Sequence, residues 1–243
     1  MEEEKNRSIL FLHGFTQNSI VFRNRLKVLL NSLEKNFKNT KFLFPDAPFI
    51  LEDSEKIEEI KRGWLYLDES NKMNSTLFEK EQEVTYLGLS ESLEAITNLN
   101  EENNYNIESI ISFSQGSLVS TFLSILVTHS DFRKKFPNLK CIIIVAGFIH
   151  PIPKNKEIDF YYSTISKLYN EDDNQHIEES DKIQIPTLHV FGKSDPYITP
   201  EKSEKLTNLF FNFQTYIHEG KHFVPTKKED VEAYINFLKK YLI

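Results

Sequence analysis

Apolar residues along the chain fall into two alternating patterns. Five short runs, ILFLHG, ESIISFSQG, CIIIVAG, TLHVFG and TYIHEG, are rich in Ile, Val and Phe, and each closes on a glycine. Three of them are near-continuous, which is the pattern of a parallel strand buried on both faces. Between the runs, apolar residues recur at helical spacing. Phe22, Leu26, Leu29, Leu30 and Leu33 share one face of 18–36, and Tyr86, Leu89, Leu93 and Ile96 share one face of 80–98. Val231, Tyr234, Ile235, Leu238, Tyr241 and Leu242 do the same near the end of the chain. Pro200-Glu201 reads as the first turn of a further helix capped by Thr199. Strand and helix alternating in this way predict an α/β fold with a mostly parallel, doubly wound sheet and helices on both faces. The Asn- and Glu-rich stretches Asn98–Asn106 and Asn170–Asp181 read as solvated loops, so a single domain over 1–243 is expected.

In open α/β sheets ligands bind beyond the carboxyl ends of the strands, and five of the seven glycines fall at those ends. The sharpest local signal there is Ser112-Phe113-Ser114-Gln115-Gly116, placed between Ile110-Ile111 and the helix-compatible Leu118–Val127. A serine on a tight strand-to-helix turn projects its hydroxyl into the cleft. The next residue can then offer its backbone N–H to a developing oxyanion at the helix N-terminus. The usual form of the turn is Gly-x-Ser-x-Gly, because the residues two before and two after the serine come close together. Ser112 departs from that form with the smallest polar side chain.

A serine nucleophile needs a base, and the base needs an orienting acid. On this type of fold they follow the serine in the order acid, then histidine. Asp195, just past Val190-Phe191-Gly192, and His222, after Ile217-His218-Glu219-Gly220, fit that order. His218 is the competing imidazole, on the strand itself. Asp172, Asp173 and Asp181 are competing carboxylates in a charged, surface-like stretch. His129, His150, His176 and His189 read as core or loop residues. The loop after the first strand, His13-Gly14-Phe15-Thr16-Gln17, is the place for a second oxyanion donor, the Phe15 N–H, with His13 supporting the loop.

Composition narrows the alternatives. Twenty-nine Lys and Arg against 36 Asp and Glu leave a net charge of −7, which argues against nucleic acid as a partner. A 40% hydrophobic fraction with 20 Phe and 10 Tyr is enough for a packed core. The one cysteine, Cys141, has no disulfide partner within the chain, and no Cys/His spacing resembles a zinc site. MEEEKNRS is acidic where a secretory signal is basic, and the most apolar run, Cys141–Ile149, is too short to cross a bilayer. A cytoplasmic protein without a membrane span is expected.

Taken in order, several segments resemble one family. They are Leu10-Phe11-Leu12-His13-Gly14-Phe15-Thr16-Gln17, Phe44-Pro45-Asp46-Ala47-Pro48, Gly63-Trp64, Phe113-Ser114-Gln115-Gly116, Gly192-Lys193-Ser194-Asp195 and Gly220-Lys221-His222-Phe223-Val224-Pro225. Together they resemble α/β-hydrolases of the FSH class (family of serine hydrolases), relatives of carboxylesterases and thioesterases. The resemblance implies Ser114 as nucleophile, Asp195 as acid, His222 as base, and the amides of Phe15 and Gln115 as oxyanion hole. It also implies few decorations over the sheet and, as substrate, a small-molecule ester or thioester of an apolar acyl group of modest to long chain, with no metal or organic cofactor. Trp64, Phe148 and Ile149 are the candidates for an acyl pocket, and Ile158–Tyr169, with Phe160, Tyr161, Tyr162 and Leu168, for a covering helix. The rival reading is a noncatalytic protein of the same fold that binds a ligand or partner. Nucleotide binding lacks both a Gly-x-Gly-x-x-Gly and a Walker lysine.

Overall fold

In a computed structural model that describes residues 7–66, 86–103, 105–129, 131–150, 165–166 and 177–243, each of the five glycine-closed runs forms a strand of one sheet. The strands in chain order are β1 (Arg7–Leu12), β2 (Lys41–Leu43), β3 (Phe49–Glu52), β4 (Lys61–Gly63), β5 (Asn106–Phe113), β6 (Cys141–Val145), β7 (Thr187–Gly192) and β8 (Phe213–His218). Six of them form the sheet in the order β2-β1-β5-β6-β7-β8, with every neighbouring pair parallel. β3 and β4 pair antiparallel as a separate ribbon. The central strands explain the near-continuous apolar runs: every residue of Ile107–Phe113 and Cys141–Val145 is buried. β8, at one edge, has a largely exposed strand body.

The helices are α1 (Ser19–Arg25), α2 (Lys27–Asn36), α3 (Leu89–Glu102), α4 (Gln115–His129), α5 (Pro200–Thr207) and α6 (Lys228–Leu242). They form two layers. α4 packs over β5 and β6 with α3 beside it, while α6 packs against β6 with α2 beside it. The helix expected over 18–36 is broken at Leu26 (φ −94°, ψ 9°), which ends α1 and begins α2. Asn18 caps α1 by accepting the Val21 N–H at 2.9 Å. Tyr86 precedes α3, which starts only after Gly88, and Thr199 stands at the N-cap of α5 without a cap bond from its side chain.

The ribbon matters for the site because it grips the loop after β1. Thr16 N–H donates to Arg62 O at 2.9 Å, and Arg62 N–H donates to Gln17 O at 3.1 Å. Of the expected covering segment Ile158–Tyr169, only 165–166 belong to the described residues, and Asp172, Asp173 and His176 lie outside them. Among the described residues no helix is long and apolar enough to cross a membrane.

Candidate active site

β5 ends at Phe113 and α4 begins at Gln115, so Ser114 alone makes the turn, with φ 52°. That left-handed conformation costs a non-glycine residue about 1–3 kcal/mol and persists only where neighbours enforce it. Here the Ser114 N–H donates to Val145 O at 2.9 Å, and Ser114 O accepts Ser117 N–H at 2.9 Å and Leu118 N–H at 3.2 Å. A Cβ on Gly116 would lie 2.4 Å from Leu12 O and 2.7 Å from His13 O, so the start of α4 rests directly on the backbone at the end of β1. The Ser112 departure is absorbed in the same place. Its hydroxyl donates to Ile143 O at 3.2 Å and lies 2.7 Å from Ser120 Oγ on α4.

His222 comes from the loop after β8 and Asp195 from the loop after β7. His222 Nε2 is 3.0 Å from Ser114 Oγ, and His222 Nδ1 is 2.7 Å from Asp195 Oδ2. A carboxylate only accepts, so Nδ1 carries the proton and Nε2 is free to accept from the serine hydroxyl. The Asp195 side chain is fully buried, and its Oδ1 accepts Tyr197 N–H at 2.9 Å and Ile198 N–H at 3.0 Å, which fixes its orientation. The two loops meet backbone to backbone: a Cβ on Gly192 would sit 2.6 Å from both Gly220 O and Lys221 O. His218 does a different job. Its Nδ1 accepts the Gly220 N–H at 3.1 Å, shaping the turn that presents His222, and burial lowers its pKa. His189, in the core of β7, is pushed by burial down to about 3.

The loop after β1 is held just as tightly. The Ala47 N–H donates to His13 Nε2 at 3.0 Å, so the His13 proton sits on Nδ1, which donates to Gly14 O at 2.8 Å. Burial drives the His13 pKa down to about 4, keeping the ring neutral. Gly14 O also accepts the Gln17 N–H at 3.2 Å. A peptide unit is planar, so two bonds on the Gly14 carbonyl fix the direction of the Phe15 N–H. The two bonds on the Ser114 carbonyl fix the Gln115 N–H in the same way. Among the described residues, neither the Phe15 nor the Gln115 N–H meets an acceptor.

A model of the serine hydrolase (FSH1) family matches residues 1–234 of this chain. The chain belongs to that family. Esterase OVCA2 of Danio rerio is 29% identical over 248 residues, covering 96% of each chain. Among solved structures, Zea mays acyl-protein thioesterase 2 superposes with a TM-score of 0.63 at 17% identity, over 98% of this chain and 95% of that one. Esterase PE8 gives 0.62 at 16% identity, over 98% and 94%. The fold is that of the α/β-hydrolases.

In this FSH1-family hydrolase the three expected pocket residues are packed inside. Trp64, Phe148 and Ile149 are 0%, 2% and 6% exposed. Trp64 supports the loop after β1. Its indole N–H donates to His13 O at 2.8 Å, and its ring lies 5.1 Å from that of His13, beneath the loop. Phe148 and Ile149 belong to the hydrophobic core after β6. The aromatic surface beside His222 comes from Tyr197, which the sequence alone does not single out, and from Phe113 of the serine segment. Tyr197 meets the imidazole edge to face at 5.4 Å, with Phe113 at 4.9 Å on the imidazole as well. Tyr197 is 50% exposed, and Phe223, whose ring meets His218 at 5.0 Å, is 47% exposed. The available signal was their spacing, two residues after Asp195 and one after His222. The Cys141 thiol, buried and pushed up to about 12, is no competing nucleophile. Among the described residues no group of His, Cys, Asp and Glu is arranged to hold a metal.

Proposed function

We propose that this FSH1-family hydrolase cleaves carboxylic esters or thioesters of apolar acyl groups through an acyl-enzyme on Ser114. One observation carries the reading: the hydroxyl, imidazole and carboxylate of Ser114, His222 and Asp195 stand in one hydrogen-bonded row at 3.0 and 2.7 Å. Ser114 Oγ attacks the carbonyl carbon while its proton passes to His222 Nε2. Asp195 stabilises the imidazolium so formed. The negative oxygen of the tetrahedral intermediate is held by the N–H groups of Phe15 and Gln115, each contributing about 3 kcal/mol. Collapse expels the alcohol or thiol, which takes the proton from His222. A water then gives its proton to the same nitrogen and attacks the acyl carbon, releasing the acid and restoring Ser114.

Tyr197, half exposed with its ring on His222, supplies an apolar border for the group being cleaved. The names of the esterase and thioesterase relatives support this substrate class. We assign the reaction to one catalytic domain spanning 1–243, needing no cofactor. A buried, unpaired Cys141 suits a reducing compartment, and we place the protein in the cytoplasm.

The test is a fluorophosphonate label followed by peptide mapping, run with p-nitrophenyl esters of graded chain length and acyl thioesters. One adduct at Ser114 is expected, absent in Ser114→Ala, with turnover lowered on the order of 10⁴-fold or more. An intact, folded protein that takes no label and cleaves none of these substrates would instead be the noncatalytic binder.

A further inference from the structure

Gln115 carries two separate sets of polar atoms. Its backbone N–H is one proposed oxyanion donor; its side chain points elsewhere and is buried. The carboxamide makes a paired contact with the segment that follows β4: Oε1 accepts the Trp64 N–H at 2.7 Å, and Nε2 donates to Leu65 O at 2.8 Å. An amide that accepts from one residue and donates to the next ties the nucleophile turn to the segment after the ribbon at two backbone points.

The contact continues through Trp64. Its carbonyl accepts the Ser92 hydroxyl, and its indole N–H donates to His13 O. His13 O begins the peptide unit whose N–H belongs to Gly14, and Gly14 N–H donates to Gln17 Oε1 at 3.2 Å. The following peptide unit contains the Phe15 N–H. A continuous chain of hydrogen bonds and rigid peptide planes therefore joins one donor amide, that of Gln115, to the other, that of Phe15. The route runs from Gln115 through its own side chain and the Trp64 backbone and indole to the His13–Gly14–Phe15 backbone.

We infer that the Gln115 carboxamide, acting with the Trp64 indole, is a positioning device that sets the spacing of the two oxyanion donors. This rests on the reading of Ser114 as nucleophile. The loop after β1 and the turn after β5 belong to different elements, and oxyanion stabilisation depends on both N–H groups pointing at one atom. The side chains of Gln115 and Trp64 are buried and bonded to protein backbone, so their action on the reaction is indirect. Loosening either one therefore raises the barrier to the tetrahedral intermediate without weakening ground-state binding.

Gln115→Met keeps the side-chain length and removes both bonds. Trp64→Phe keeps an aromatic ring and the Trp64 backbone bonds but removes the indole N–H, so it tests the chain even if the first variant folds poorly. Rates are counted per active site, with sites titrated by fluorophosphonate. For each variant kcat is expected to fall between about 10- and 100-fold, with KM within about twofold. Affinity for a trifluoromethyl ketone, which forms a tetrahedral adduct, should fall by the same factor as kcat/KM. The double variant should lose little more than the worse single one, because both break the same chain. A lower melting temperature with kcat per titrated site unchanged, or fully additive losses, would overturn the inference. If the wild type is labelled at Ser114 and turns over ester while the variants match it, only this inference falls. A wild type that neither labels nor turns over removes the reading beneath it as well.

Discussion

The two ends of β5 hold polar clusters of similar size and opposite character. At its start Glu108 accepts from Arg7 at 3.0 Å and from Lys140 at 2.8 Å, and Arg7 also donates to Leu242 O at the end of α6. At its finish Ser114 joins His222 and Asp195. The lower cluster sets two cations around one carboxylate, on backbone free of left-handed residues. The upper one sits on a residue at φ 52° and beside two amides with no acceptor among the described residues. Both ends are ordered by hydrogen bonds; what sets the finish apart is backbone strain at Ser114 beside two N–H groups that meet no acceptor among the described residues. Chemistry is available where the fold stops short of satisfying itself.

The comparison breaks most visibly at Asp195. Asp195→Asn should lower kcat on the order of 10³- to 10⁴-fold while changing denaturation midpoints little, since Asn can keep the bonds from Tyr197 and Ile198. A large stability loss with kcat preserved would assign the upper cluster to folding instead. The next largest effect separates the ends by pH. His13 is held neutral with a pKa about 4, against 6.5 for an ordinary histidine. The unfolded chain therefore binds the proton first as pH falls, and stability present above pH 6.5 is lost between there and pH 4, about 3 kcal/mol in all from this ring. Buried His189 adds to the same acid loss.

Glu108 works in a lower window. Burial opposes its charge, but the bonds from Lys140 and Arg7 outweigh it and hold its pKa below the ordinary 4.5, so its contribution is lost only as pH falls past that value. Urea titrations at pH 7, 6 and 5 should fall steadily, and His13→Gln should flatten the slope by up to about 1.4 kcal/mol per pH unit; a flat wild-type series would contradict the buried neutral ring. Glu108→Gln at pH 7 should cost roughly 1–3 kcal/mol and leave kcat and KM alone. A changed kcat would mean that the ends of β5 are not independent. The smallest effect belongs to Ser112→Gly, which removes the bonds to Ser120 and Ile143. It should destabilise by about 1 kcal/mol and shift turnover less than twofold; a severalfold acceleration would show that the serine distorts the turn.

Much of the fold was legible because its strands are long enough and buried enough to print a pattern. β5 and β6 carry unbroken apolar runs because helices cover both faces. β2, three residues beginning with a lysine, and the ribbon of β3 and β4 print none. The break at Leu26 was invisible because neither glycine nor proline marks it; a Leu ends one helix and starts the next. Ser114, Asp195 and His222 each stand at a strand end, so chain order alone suggested their meeting. The support that Trp64 gives the loop after β1 was not legible, because an aromatic after a glycine suits a pocket wall as well as a support and the acceptor of its indole is set by the fold. The exposure of Tyr197 and Phe223 was not legible because periodicity reports which residues are apolar, not which ones the loops leave uncovered.

The edge position of β8 has a consequence for how such an enzyme fails. Ser114 and Asp195 follow strands flanked on both sides, whereas the loop bearing His222 follows a strand that, among the described residues, pairs only with β7. Peripheral strands open locally before the centre of a sheet does. Gentle heating is expected to loosen the loop that carries His222 before it disturbs the turn that carries Ser114, so that activity would be lost while most of the sheet is still folded, and recovery would need only the outermost strand to zip back.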